Sequence, residues 1–178
     1  HQADIVEFVR YIGSGFKELA TNRSIKFSIE SECPGMNIWF DDTKMQRILN
    51  NIYSNAFKFT PDGGLISTIV ATEKKDEKIF VRIEISDTGC GISEKDLNVI
   101  FDRFYQSEPI PGVTGSGIGL HMVKEYVSLH NGKIEVHSKI GVGTTFLIYI
   151  PSDLKGDDSE SKIPAMSPDV EEKVVYSD

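Results

Sequence analysis

The stretch "NNIYSNAFKFT" (residues 50–60) decides how the sequence is interpreted, because it carries two stripes at helical spacing. The hydrophobic stripe begins before it and comprises Met45, Ile48, Leu49, Ile52, Ala56 and Phe59. A polar stripe of Asn51, Asn55 and Lys58 repeats at i, i+4 and i+7, about a quarter-turn from the centre of the hydrophobic stripe. Asparagine is a poor helix former. We therefore predict a buried helix with a polar edge beside the core, where some chemistry needs two amides and an ammonium group.

Composition and charge exclude several classes of function. The chain has 178 residues, of which 39% are hydrophobic, and this is enough for one well-buried domain. The net charge is −8; residues 152–178 carry −5 of it and residues 1–151 the remaining −3. A domain without a basic footprint is a poor candidate for binding nucleic acid. The cysteines, Cys33 and Cys90, are too few for a disulfide framework or a zinc site.

The chain is predicted to divide into two segments. Residues 1–151 form one domain, whereas residues 152–178 have the serine, proline and acidic content of a disordered linker. No hydrophobic run approaches the roughly 18 residues that cross a bilayer, and no signal-peptide pattern is present. Because the sequence opens on His1 rather than methionine, we expect a fragment of a longer protein. The acidic linker after Pro151 predicts another domain beyond it.

The order of helical and strand patterns predicts the fold class. Helical periodicity covers residues 4–23, 44–59 and 117–132, with a short helix over 93–100. Strand patterns cover residues 24–31, 36–40, 65–74, 79–86, 133–138 and 144–151, and we expect the second of these to pair with the first. Residues 105–116 have no periodicity and are predicted to be a mobile loop. Strands in adjacent pairs favour an α+β sandwich, a mixed or antiparallel sheet with helices on one face.

Three glycine clusters interrupt these elements, and the standard phosphate motifs do not explain them. The clusters are Gly89/Gly91, Gly115/Gly117/Gly119 and Gly141/Gly143. No glycine precedes Lys-Ser or Lys-Thr, so a P-loop is excluded. A dinucleotide-binding interpretation of "GCGISE" fails because Glu94 stands where the third glycine is required. The run "GSGIGL" would still present backbone N–H groups to a phosphate at a helix start, although glycine there is often only a packing solution.

Taken in order, the motifs resemble one family. They are Asn51-x-x-x-Asn55-x-x-Lys58, Asp87-x-Gly89-x-Gly91, Phe101-x-x-Phe104, Gly115-x-Gly117-x-Gly119 and Gly141-x-Gly143-Thr144. This order is similar to the N, G1, F, G2 and G3 boxes of sensor histidine kinases, members of the GHKL superfamily of gyrase-type, chaperone, histidine-kinase and mismatch-repair ATPases. The resemblance covers residues 4–151. It implies the catalytic ATP-binding domain, in a Bergerat-type fold with a mixed sheet, helices on one face and a flexible lid over ATP.

The resemblance also implies roles for particular residues. Asp87 would accept a hydrogen bond from the adenine amino group, with Thr144 beside it, and Phe59, where the family often has tyrosine, would pack on the purine. The implied nucleotide site comprises Asn51, Asn55, Lys58, Phe59, Asp87, Gly89, Gly91, Ile92, Gly115, Ser116, Gly117, Ile118, Gly119, Leu120 and Thr144. Many relatives have an arginine at position 106 to contact the γ-phosphate; the residue here is Gln106, and Arg103 is the candidate replacement.

The polar stripe of the helix predicted over residues 44–59 is then explained by magnesium. Mg²⁺ prefers oxygen ligands, and an amide oxygen supplies one without adding negative charge beside a triphosphate. Asn51 is the predicted metal ligand, Asn55 faces the same ion and phosphates, and Lys58 neutralises phosphate charge. In hydrolysing members of the superfamily a glutamate stands where this chain has Asn51, and an amide has no useful basicity. The expected reaction is therefore phosphoryl transfer to a histidine on a separate dimerisation hairpin, with Asn51, Asn55, Lys58 and Arg103 as catalytic residues.

The resemblance leaves alternatives open. A nucleotide-sensing pseudokinase is favoured by Gln106 and Phe59, whereas a hydrolysing ATPase is disfavoured by Asn51. The histidines at positions 1, 121, 130 and 137 are assigned to structure or surface, and Tyr53 and Phe57 are either a docking surface for the hairpin or an exposed or second-layer pair. The expected partners are ATP, the hairpin and, indirectly, a response regulator or receiver domain, without nucleic acid or direct membrane contact. Such a domain is cytoplasmic, in a parent protein anchored in the bacterial inner membrane.

Overall fold

The computed structural model describes residues 1–105 and 117–152, and its elements follow the predicted order closely. The elements are β1 (Gln2–Asp4), α1 (Ile5–Ser14), α2 (Lys17–Asn22), β2 (Lys26–Ser31), β3 (Asn37–Trp39), α3 (Asp42–Phe59), β4 (Leu65–Lys75), β5 (Lys78–Asp87), α4 (Glu94–Leu97), α5 (Gly119–Leu129), β6 (Lys133–Lys139) and β7 (Gly143–Pro151). The predicted loop over 105–116 and linker over 152–178 lie outside the described residues, apart from Tyr105 and Ser152.

The main sheet is mixed, one of the two arrangements that the adjacent pairs of strand patterns favoured. Its strand order is β2-β4-β5-β7-β6, with β2 parallel to β4 and every other pair antiparallel. Alternate residues of a strand point to opposite faces, and one face of the central strand β5 carries the buried Val81, Ile83 and Ile85. Side chains of α1, α3 and α5 belong to the same buried cluster, so the helices cover that face. The predicted α+β sandwich is therefore confirmed.

Two details of the sequence prediction are wrong. The helix predicted over residues 4–23 is two helices, because the chain turns at Gly15 and Phe16, where the glycine amide donates to Ile12 O and Gly13 O as a cap. The strand predicted over 36–40 does not pair with β2. As β3 it pairs antiparallel with β1, and β2 pairs with β4 instead. Pairing with the N-terminal strand buries Ile38 completely, which period-2 alternation alone could not specify.

His130 has a structural role, as predicted. His130 is buried; its Nε2 accepts from Asp41 N at 3.0 Å and its Nδ1 donates to Tyr126 O at 2.7 Å. Burial lowers the pKa of His130, and the nearby Lys44 ammonium adds to this, while the Tyr126 carbonyl and Asp41 oppose it. His130 therefore links the end of α5 to the start of α3.

In residues 1–105 and 117–152, no helix has the length and hydrophobicity that a membrane span requires.

Tyr53 and Phe57 are core residues, so of the alternatives left open for them the second-layer pair is confirmed, and an exposed pair or a docking surface is wrong. Tyr53 is 0% and Phe57 is 2% exposed. Their rings pack against Phe16 and Phe27, which come from the α1–α2 junction and β2. The reason is that α3 is covered on two sides, by the sheet and by the N-terminal helices, whereas a single hydrophobic stripe predicts only one.

The buried hydroxyl of Tyr53 provides a test of this packing. It lies 2.9 Å from Thr68 Oγ1, and Thr68 is 0% exposed. We expect Tyr53→Phe to lower the free energy of unfolding by about 1–3 kcal/mol, because it leaves a buried hydroxyl without its partner. Thr68→Val added to Tyr53→Phe should cost less than the two single changes together. Urea denaturation measures all three. The control is Tyr126→Phe, whose hydroxyl has an exposed contact with Arg47; an equal loss in this variant would contradict the argument.

Candidate functional site

The polar edge of α3 lies against the start of α5. Asn51, Asn55 and Lys58 are all half-buried, as a position beside the core requires. The Nδ2 of Asn51 donates to Arg47 O at 2.8 Å, and this bond turns Oδ1 away from its own helix. A Cβ built on Gly119 would lie 2.4 Å from that Oδ1. The amide oxygen of Asn51 therefore lies directly against the first residue of α5, and the structure brings the first and fourth motifs together.

The carboxylate of Asp87 lies at the end of β5 and is bound by a backbone amide. Its Oδ1 accepts from Gly89 N at 2.8 Å, and the backbone amide of Thr144 also acts to lower its pKa. Asp87 and Thr144 are cross-strand partners, so their side chains share a face of the sheet. Burial raises the pKa of Asp87, and the two amides oppose that rise. The result is a half-buried carboxylate that keeps lone pairs for a further donor, such as an amino group.

The loop after Asp87 lies on the turn between β6 and β7. Gly141 N donates to Cys90 O at 2.8 Å and Ile92 N donates to Ser138 Oγ at 2.8 Å. Gly91 has a φ of +73°, and a Cβ there would lie 2.1 Å from Lys139 O. Only glycine allows both this conformation and this approach. Gly91 of the second motif is thus needed to pack this loop on the β6–β7 turn beside Asp87.

The C-terminal end of α3 forms one wall of a shallow groove with this loop. Lys58 Nζ lies 5.2 Å from the centre of the Phe59 ring. The groove has a volume of about 440 Å³ and is lined by Arg23, Lys58, Phe59, Thr60, Pro61, Thr88, Gly89, Cys90 and Gly141. Arg23 fixes this end of the helix, since its guanidinium donates to Phe57 O, to Thr60 O at 2.8 Å and to Asp62. Sequence reasoning missed this cap because its parts are distant along the chain.

The remaining predicted residues lie at the ends of the segment that the structure does not describe. Gly115, Ser116 and Gln106 lie outside the described residues. Phe104 N donates to Gly117 O at 2.9 Å, which joins the two ends of that segment. Arg103 is exposed and its guanidinium carbon lies 4.8 Å from the centre of the Phe104 ring. Ile118 and Leu120 flank Gly119, and Leu120 packs against the core.

The described site therefore has two assembled parts. Asn51 and Gly119 form one, and Asp87 with Gly89, Thr144 and the loop at Gly91–Ile92 forms the other. Within the residues that the structure describes, no group of three histidine, cysteine or acidic side chains could hold a metal ion. An amide oxygen and an anionic ligand would have to supply the ligands for any cation bound here.

Comparison with known proteins identifies the class. Residues 40–154 match the family of histidine kinase-, DNA gyrase B- and HSP90-like ATPases, so the chain belongs to this family. It is 36% identical over 155 residues to "Histidine kinase P4" of Formosa agariphila. That match covers 84% of this chain and 11% of the Formosa protein. It is 40% identical over 151 residues to hybrid signal transduction histidine kinase D of Dictyostelium discoideum. That match covers 80% of this chain and 9% of the Dictyostelium protein.

A solved structure agrees on the fold. The catalytic domain of histidine kinase ThkA superposes with a TM-score of 0.74 at 24% identity, covering 85% of this chain and 97% of that one. The Bergerat-type fold and the resemblance to histidine-kinase catalytic domains are thereby confirmed. The chain spans about a tenth of the length of the two curated relatives, which contain much more than this domain.

The contact between the two loops can be tested with a pair of glycines. Gly91 and Gly141 have φ values of +73° and +75°, but Gly141 has no atom within 4 Å of a built Cβ. Both alanine variants carry the left-handed backbone cost of about 1–2 kcal/mol. We expect Gly91→Ala to lose clearly more, because the Lys139 carbonyl must move away. Urea denaturation gives the difference, and equal losses would show that the close approach does not matter.

Proposed function

We propose that this chain is the catalytic, ATP-binding domain of a sensor histidine kinase. It binds MgATP and transfers the γ-phosphoryl group to a histidine on a separate dimerisation hairpin. The observation that carries the proposal is Asn51, a neutral amide whose oxygen is turned toward Gly119 by its bond to Arg47. An amide at this position suits magnesium binding and supplies no base for hydrolysis.

Nucleotide binding is supported at the base end by Asp87. Its carboxylate accepts from the Gly89 amide and keeps free lone pairs, so it suits the exocyclic amino group of adenine. Phe59 lines the neighbouring groove and would pack on the purine ring, while Lys58 carries the charge to neutralise a phosphate. The loop residues Gly89, Gly91 and Ile92 would pass close to the base. The glycine-rich residues 115–120 would bind phosphate oxygens.

Magnesium fits the residues present at the junction of α3 and α5. The Oδ1 of Asn51 would be the protein ligand, and Asn55, one turn later and also half-buried, would face the same phosphates. Oxygens of the triphosphate and water would complete the octahedron that Mg²⁺ prefers. When bound, the ion would neutralise charge on the transferring group.

The reaction follows from positioning rather than from acid–base chemistry. In phosphoryl transfer the bond between the γ-phosphorus and the β–γ bridging oxygen breaks, and a bond to the imidazole nitrogen forms, leaving ADP. The protein mainly orients the groups and neutralises charge. Asn51 and Asn55 would hold the phosphates, and Lys58 and Arg103 would supply positive charge. The hairpin, a response regulator or receiver domain and a cytoplasmic location on a membrane-anchored parent belong to the same proposal.

The phosphotransfer is tested with the hairpin and labelled ATP. With the unmutated chain, here called the parent chain, we expect acid-labile label on the hairpin histidine. Asp87→Asn should reduce it at least about tenfold, because the amide replaces a charged acceptor worth about 1.5–3 kcal/mol. The control is Asp76→Asn, in the exposed turn at the opposite end of β5. Binding without labelling would favour the nucleotide-sensing module. Equal activity of Asp87→Asn and the parent would reject the assigned base site.

The magnesium assignment is tested at Gly119. A methyl group there would displace the Asn51 oxygen, a side-chain atom, without disturbing the backbone. We expect Gly119→Ala to weaken ATP binding in the presence of Mg²⁺ about tenfold, while affinity in EDTA and the unfolding free energy change little. Isothermal titration with and without Mg²⁺ measures the difference. Gly15→Ala, at a helix end with only an ordinary contact to Ile12 O, is the control. A loss of the same size in EDTA would contradict magnesium binding at Asn51.

A further inference from the structure

A serine that belongs to none of the five motifs joins the residue after the second motif to the fifth motif. Ser138 lies in β6, and its Oγ is 2.8 Å from Ile92 N, 2.8 Å from Gly143 O and 2.9 Å from Thr144 Oγ1. The first of these atoms belongs to the loop after Asp87 and the other two belong to the start of β7. One hydroxyl therefore connects both sides of the proposed base site.

The directions of these hydrogen bonds follow from counting protons. A hydroxyl has one proton to donate and two lone pairs. Ile92 N–H can only donate, so it occupies one lone pair of Ser138, and the Gly143 carbonyl can only accept, so it takes the proton. The remaining lone pair of Ser138 must accept from the Thr144 hydroxyl. Thr144 is left with lone pairs alone for any other neighbour.

This arrangement matters because of the row in which these residues lie. Asp87, Thr144 and Ser138 are successive cross-strand partners on β5, β7 and β6. Their side chains therefore share one face of the sheet, and Thr144 is 7% exposed. If Ser138 were absent, the Thr144 proton could turn toward the Asp87 carboxylate and compete for the lone pairs that an incoming amino group needs.

We propose that Ser138 is a positioning residue for recognition of the adenine amino group. It holds the Thr144 hydroxyl as an acceptor and fixes the Ile92 amide, which keeps Asp87 available to the base. This role rests on the proposed binding of ATP. Ser138 itself does not touch the nucleotide in this proposal, because it acts through Thr144 and Ile92.

The neighbouring row of the sheet supplies a matched control. Ser86 and Thr145 are the residues adjacent to Asp87 and Thr144, and they are cross-strand partners whose hydroxyls lie 2.8 Å apart. Successive residues of a strand point to opposite faces, so this second pair faces away from Asp87. Ser86→Ala thus removes a hydroxyl pair of the same kind from the same strands, outside the proposed site.

The experiment compares MgATP with the magnesium complex of purine riboside triphosphate, which lacks the amino group. Titration calorimetry on the parent chain should show tighter binding of MgATP. We expect Ser138→Ala to weaken MgATP about tenfold and the amine-free analogue less than about threefold, since only one depends on Asp87. Ser138→Thr, which keeps the hydroxyl, should retain the preference, and Ser86→Ala should change neither affinity. If Ser138→Ala does not fold, Ser138→Cys keeps the volume with a weaker donor.

Each outcome separates the two levels of the proposal. If the parent chain binds neither nucleotide, the ATP-binding function fails, and the role of Ser138 fails with it. If the parent prefers MgATP and Ser138→Ala keeps that preference, or loses both affinities equally, only the role of Ser138 is overturned. In a Thr144→Val background, Ser138→Ala should reduce the preference by less than twofold further. A full additional loss there would show that Ser138 does not act through Thr144.

Discussion

The site depends on how rigidly α3 is held within the helical layer. Its first turn is fixed by Asp41, which caps the helix with its side chain and donates its own amide to the buried His130, the residue that follows α5. Its last turn is fixed by Arg23, whose guanidinium binds two carbonyls that a helix end leaves without intrahelical partners. With both ends tied to neighbouring elements, the polar edge from Asn51 to Lys58 keeps a defined position relative to α5 and to the end of β5.

At Asp87, the proposed adenine-binding end of the site, the fold loses stability and gains an available hydrogen-bond acceptor. Burial raises the pKa of Asp87, so the folded state holds its proton more tightly than the unfolded chain does. The contribution of this group to the unfolding free energy therefore falls as pH rises from the unfolded pKa through the raised one, and at neutral pH it opposes folding. The amides of Gly89 and Thr144 offset part of that cost. A carboxylate kept at this position despite its cost is better explained by a ligand than by folding.

The sequence predicts this architecture where the signal is local and fails where partners are distant. The polar stripe that contains Asn51 and the glycine at position 91 could be predicted because helical periodicity and glycine-rich loops are patterns of neighbouring residues. The position of Tyr53 stayed open between a second-layer, an exposed and a docking position, because the hydrophobic stripe of α3 does not show that a second layer covers the helix. The strand over 36–40 was misassigned because hydrophobic alternation does not say which strand is its neighbour. The role of Ser138 depends on strand register across three strands, so no local pattern could reveal it.

The two ends of the site together favour transfer over hydrolysis. A hydrolysing enzyme must place a base beside the γ-phosphate to activate water, and the corresponding position is occupied by an amide whose nitrogen is already bound to the Arg47 carbonyl. That bond leaves Asn51 an oxygen that can ligate a cation but cannot take a proton. The proposed adenine-binding end, by contrast, is connected through Asp87, Thr144 and Ser138. In the proposed function, a domain that holds the nucleotide and activates no water retains the phosphoryl group until an external nucleophile arrives, and this is the property that a kinase domain separate from its acceptor requires.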